Sequence, residues 1–127
     1  MADVNTHPIE GQILLLAGAQ ASVALPRVPS LVSQVQRHID SRIETYNRTC
    51  ERIDGPRAAS YYLVAPGHWE QLGDEVGLNR REIDAVRRSH TEQFRRDGRR
   101  LDRSDEFEAT LEIREVVAVN SDNSDSP

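Results

Sequence analysis

Residues 69–88 read Trp69-Glu70-Gln71-Leu72-Gly73-Asp74-Glu75-Val76-Gly77-Leu78-Asn79-Arg80-Arg81-Glu82-Ile83-Asp84-Ala85-Val86-Arg87-Arg88, and their spacing decides how the chain is read. Leu72 and Val76 stand four apart, Ile83 and Val86 three apart, so each pair marks the apolar stripe of one helix, and the two stripes must face each other. Gly73 offers no side chain where the second helix crosses closely. Gly77 can take the left-handed conformation that ends the first helix, and Leu78 plugs the corner. Asn79 and Glu82 have the N-x-x-E spacing of a capping box, which satisfies amide donors at the start of the second helix.

With Leu72, Gly73, Val76, Gly77, Leu78, Ile83 and Val86 in its seven diagnostic slots, the segment resembles the helix-turn-helix of DNA-binding regulators. The resemblance covers about twenty residues and implies a double-stranded DNA partner and a role in transcription regulation. Ile83, Val86, His90 and Phe94 form the inward stripe of the second helix, leaving Arg81, Asp84, Arg88 and Arg95 facing outward. Under this reading Arg80, Arg81 and Arg88 approach base edges, Arg87, Arg95, Arg96, Arg99 and Arg100 suit phosphates, and Asp84 completes the nine residues expected to meet DNA. Two other readings stand beside it. A capped helix corner can be packing alone, and the run from Trp69 to Val86 also looks like the central helices of death-domain-type adaptors, which bind protein. The non-enzymatic protein-interaction module is therefore the alternative function.

Charge placement points to the same helix. The chain carries 21 Asp plus Glu against 16 basic residues, yet residues 77–103 hold nine arginines against five acids. Arginines on an exposed helix can also be satisfied by Asp84 and Glu92 a turn away. None of the 16 basic residues is lysine. A GC-rich genome and a high-salt cytoplasm both favour that bias. The composition, and residues 61–103 above all, resembles that of small haloarchaeal-type proteins, a resemblance that implies origin and no activity. At molar salt, counterion release contributes little affinity, so arginine geometry and shape would carry binding.

The length suits one domain, assigned to residues 1–119, with 120–127 (NSDNSDSP) expected as a disordered tail. The apolar run Ile13–Ala19 lacks a preceding basic residue and is too short to span a bilayer, so a buried helix opened by Pro8 is expected in place of a signal peptide or membrane span. Cys50 is the single cysteine, which excludes a disulfide framework and suits a cytoplasmic protein. Val32, Val35, Ile39, Ile43, Tyr46, Cys50 and Ile53 recur at threes and fours, predicting one long helix ended by Asp54-Gly55-Pro56. Its stripe exceeds what so small a core can bury. A homodimer through Val32–Ile53, with two reading heads for adjacent grooves, is one expectation; a long helix that simply backs the N-terminal helix and the corner is the other.

Tyr61–Val64 reads as a strand. Phe107, Ala109, Leu111 and Ile113 alternate with polar residues before Val116–Val119, so a C-terminal strand pairing with Tyr61–Val64 is expected, and a helix over Ser104–Ile113 competes for the same residues. The fold class is α+β, mainly α: a helix-turn-helix corner, a long helix and a small antiparallel β element, similar to winged-helix domains but with no hairpin for the wing. Enzyme chemistry lacks its parts. His7, His38, His68 and His90 are scattered without metal-ligand spacing, and no phosphate loop or nucleophile elbow occurs, so neither a metal nor a cofactor is expected.

Overall fold

Alternation of turn-forming and periodic segments divides residues 7–121, those that the computed structural model describes, into six α-helices, one 3-10 turn at Leu25–Arg27 and three strands. In order the helices and strands are α1 (Gly11–Ala21), α2 (Val28–Asp40), α3 (Ile43–Thr49), β1 (Glu51–Asp54), β2 (Ala59–Val64), α4 (His68–Val76), α5 (Arg80–Arg100), α6 (Ser104–Leu111) and β3 (Glu115–Asn120). The fold is α+β, mainly α. No helix among the described residues is long and apolar enough to cross a membrane.

The corner forms as its spacing requires. Gly77 ends α4 at φ 76°, a conformation that strains any residue with a side chain. The Asn79 side chain accepts from the Glu82 amide while Glu82 accepts from the Asn79 amide, both at 2.9 Å. A Cβ on Gly73 would lie 3.0 Å from the Ile83 side chain, so the two helices touch there at backbone distance. Leu72, Ile83 and Val86 are buried, and Val76 and Leu78 pack partly buried against the same core.

Helix α5 is the spine. Its buried side holds Ile83, Ala85, Val86, Ser89, His90, Gln93, Phe94, Asp97 and Gly98, against which α1, α2, α4, α6 and β3 all pack. The sheet runs β1-β2-β3, antiparallel throughout, with Tyr61 opposite Ala118 and Tyr62 opposite Val117. β2 and the central residues of β3 are buried on both faces, which is why their sequences are continuous apolar runs. The expected pairing of the Tyr61 strand with the C-terminal segment is present. Fully buried His90 accepts the Ala118 amide at Nδ1, 2.9 Å, and lies edge-on to Trp69. Burial pushes its pKa down to about 3, so it sits neutral in the core.

Three expectations are corrected. The long helix from Val32 to Ile53 is broken: Ser41 Oγ donates back to the His38 carbonyl at 2.6 Å, α2 ends, α3 begins at Ile43, and Ile53 belongs to β1. Val32, Val35, Ile39 and Tyr46 are buried within the same chain, and Ile43, Cys50 and Ile53 pack partly buried against the same core, so the stripe no longer argues for the homodimer. Residues 104–111 are the competing helix rather than a strand. Of the alternating set only Phe107 is fully buried, while Ile113 is 67% exposed, so the alternation marked no buried face. Finally, the domain runs beyond 119. Asn120 pairs with Ala59 and the Ser121 amide donates to the Ala58 carbonyl, while the remaining tail, 122–127, lies outside the described residues.

Candidate functional site

The nine residues expected to meet DNA all lie on α5, and the structure divides them. Arg80 and Arg81 occupy its first turn, where the unsatisfied amides make the helix end positive. Both are exposed, and among the described residues neither meets an acid. One turn on, Asp84 takes Arg87 at 2.5 Å and Arg88 at 2.7 Å. Partial burial opposes the charge on Asp84, but the Arg88 and Arg87 hydrogen bonds outweigh it and hold the carboxyl below its ordinary range. These arginines are 37% and 38% exposed, so they can turn outward only by leaving Asp84.

The C-terminal half is committed to the fold. Arg95 binds Glu92 at 2.5 Å and Glu108 of α6 at 2.8 Å. Arg96 reaches Glu10 and Gln12 of the N-terminal segment, at 3.1 and 3.3 Å. Arg100 binds Glu10 at 2.5 Å and Asp97 at 2.8 Å. Asp97 is completely buried and also accepts from Tyr61 Oη at 2.5 Å and Arg57 at 2.9 Å, so its carboxylate has all the partners that burial demands. The Arg100 hydrogen bond pulls the Glu10 pKa down to about 2, helped by Gln93 and Arg96. Only Arg99 of this half is exposed without an acid among the described residues, and it stands about 28 Å along the helix from Arg80.

Beside Arg80 the surface is acidic. Helix α4 exposes Glu70, Asp74 and Glu75 and has no arginine. Its first amides are taken by Glu115 of β3, whose carboxylate accepts from Gly67 and Trp69, each at 3.1 Å. An anion already stands where a helix N-terminus would otherwise receive a phosphate.

A second concave site was not foreseen from the sequence. A cleft of about 570 Å³ opens between α3, the end of β2 and α4. Leu63, Val64 and Leu72 give it an apolar floor. Tyr46 and His68 meet in it, Oη to Nε2, at 2.6 Å, and Tyr46 also stacks on Tyr62. Burial lowers the His68 pKa and raises that of Tyr46, so both are neutral near pH 7. Arg42 and Arg114 line the same cleft, half in solvent. Tyr46, His68 and Arg114 are 68 residues apart at their extremes, and no local pattern announces that they meet.

Among the described residues no three His, Cys, Asp or Glu side chains converge to hold a metal ion. No curated protein and no solved structure matches the chain. A family described as a domain of unknown function, DUF8048, matches residues 7–121, from the Glu10 segment that clasps α5 through the whole of β3. The span covers the corner, the buried Asp97 cluster and the cleft together, and the chain belongs to that family.

Proposed function

We propose that the α4–α5 corner is a non-enzymatic DNA-binding element whose contacts are confined to the first three turns of α5. The observation that carries this reading is the pair Arg80 and Arg81. They are exposed at the positive end of a capped helix, in the turn that meets base edges in helix-turn-helix proteins, and have no acid partner among the described residues. Arg87 and Arg88, held by Asp84, are the reserve that a phosphate can draw outward. Arg95, Arg96 and Arg100 are excluded, because their acids come from α1's leading segment, α5 itself and α6.

A second reading, a protein partner at the same corner, is favoured by the charge beside it. Residues 68–88 carry five acids against four arginines, and Glu115 occupies the α4 amides. A surface of mixed sign suits a partner of mixed sign. Two copies, where a palindromic site needs them, would pair elsewhere than Val32–Ile53. The half-exposed Leu15, Leu16 and Leu25 of α1 and the turn after it support that face instead, since residues 11–25 contain no charge and an uncharged face meets its own copy without repulsion.

Fluorescence anisotropy of a labelled genomic duplex pool, titrated with the wild type and with Arg80→Ala/Arg81→Ala, tests the reading. The double variant should lose at least tenfold in affinity, while Arg99→Ala stays within threefold. Binding that survives the double variant, or no binding by the wild type at 100 mM KCl, would remove DNA as the partner of this corner.

A further inference from the structure

The arginines flanking the cleft differ from those on α5 in one respect. Every other arginine in a described salt bridge approaches at least one acid to within 3.1 Å. Arg42 lies 3.8 Å from Glu75 and Arg114 lies 3.5 Å from Glu51, and among the described residues neither guanidinium makes a hydrogen bond. Two strong planar donors thus stand beside a concave site with their hydrogen-bonding capacity unused.

Glu75, the acid that also lines the cleft, is turned to other partners. Its two oxygens accept from Gln71 at 3.0 Å and bond His38 at 2.8 Å. Deeper in the cleft, burial keeps Tyr46 and His68 neutral, and the two hydrogen-bond to each other. The volume of about 570 Å³ falls in the ordinary range for a small-molecule site, which is mostly apolar with a few polar groups to orient the ligand. An apolar floor, a neutral hydroxyl–imidazole pair and two guanidinium groups held only in long ion pairs select an anion with a hydrocarbon body. A carboxylate matches the guanidinium fork.

We propose that this cleft binds a small amphipathic organic carboxylate, with its charged end at Arg42 and Arg114 and its apolar body over Leu63, Leu72 and Tyr46. The site belongs to α3, β2 and α4 and does not depend on DNA at the corner. Because α4 forms one wall through His68, Gln71, Leu72 and Glu75, an occupied cleft also touches the helix on which the corner is built.

The test uses octanoate as the probe on the full chain, followed by ¹H–¹⁵N chemical shifts, with octan-1-ol and acetate as the uncharged and tail-less controls. Octanoate should shift saturably the amides of residues 45–50, 68–75 and 114, and both controls should bind at least tenfold more weakly. Arg42→Gln/Arg114→Gln, two half-exposed positions whose change leaves the core intact, should weaken octanoate at least tenfold, and Arg81→Ala should leave it unchanged. Equal binding of octanol and octanoate would overturn the proposal, as would octanoate binding undiminished in the double variant. Shifts confined to α1, or none at 10 mM octanoate, would overturn it too.

Discussion

The two ends of α5 carry the same residue type at similar density and have opposite fates. At the N-terminal end Arg80 and Arg81 face solvent. At the C-terminal end Arg96 and Arg100 are clasped by Glu10, some ninety residues earlier in the chain, and Arg100 and Arg57 enclose the buried Asp97. Exposed pairs contribute about 0–1 kcal/mol each, but a buried carboxylate with an aromatic hydroxyl and two guanidinium groups is a structural joint whose removal is costly. One end of the helix is therefore available for a partner, and the other holds the N-terminal segment, the β1–β2 turn and α5 together.

The largest effect should follow from opening that joint. Asp97→Ala leaves Arg57, Arg100 and Tyr61 Oη without their shared acceptor and should cost about 3–5 kcal/mol in urea unfolding, against less than 1 kcal/mol for Arg99→Ala two residues on. A loss below 1 kcal/mol for Asp97→Ala would show that the C-terminal cluster is as dispensable as a surface pair.

Midway along α5, His90 supplies a pH test. Its neutral form is favoured in the folded state, with a pKa of about 3, whereas the unfolded chain takes up a proton near pH 6.5. Its contribution is thus complete above pH 6.5 and is lost as pH falls from 6.5 towards 3, at about 1.4 kcal/mol per unit, or about 2 kcal/mol between pH 6.5 and pH 5. Glu10 acts in a lower window: depressed to about 2 by Arg100, it contributes above pH 4.5 and loses that contribution as pH falls to 2. Stability that is flat from pH 7 to 5 would contradict the buried neutral imidazole.

Glycines at the two ends sharpen the contrast in packing. A Cβ on Gly98 would sit 2.7 Å from the Phe107 ring, which is buried and stacked on Phe94 and cannot retreat, whereas one on Gly73 would meet Ile83 at 3.0 Å. Both alanine variants should destabilise, by about 1–3 kcal/mol, with Gly98→Ala the worse. The reverse order in thermal unfolding would place the tighter contact at the corner. The smallest effect is expected at Arg81→Ala, which should leave stability within about 0.5 kcal/mol while lowering DNA affinity.

What could be read from the sequence was what neighbouring residues decide. The turn at Gly77, the Asn79–Glu82 box and the inward stripe Ile83, Val86, His90, Phe94 all lie within a few residues of one another, and all are present. The pairing of Tyr61–Val64 with Val116–Val119 was legible because each was an apolar run needing a partner. The break at Ser41 was hidden by coincidence, since Ile43, Tyr46, Cys50 and Ile53 continue the spacing of three and four although the backbone turns and then becomes a strand. The charge island on α5 misled in the same way. Its count was correct, but Glu10 and Glu108, which neutralise part of it, arrive from other elements. The cleft was illegible for the reason that most such sites are: Arg42, Tyr46, His68 and Arg114 converge only in three dimensions.

The division of α5 is tested most directly by the salt dependence of DNA binding by the wild-type protein, measured by anisotropy from 50 to 500 mM KCl. Each phosphate neutralised contributes about −0.9 to the slope of log K against log salt. Contacts limited to Arg80, Arg81, Arg87 and Arg88 predict a slope between about −2 and −4. A slope near −7 would mean that all eight arginines of α5 engage and that the C-terminal cluster opens, and no binding at any salt would mean that neither end of the helix is a DNA surface.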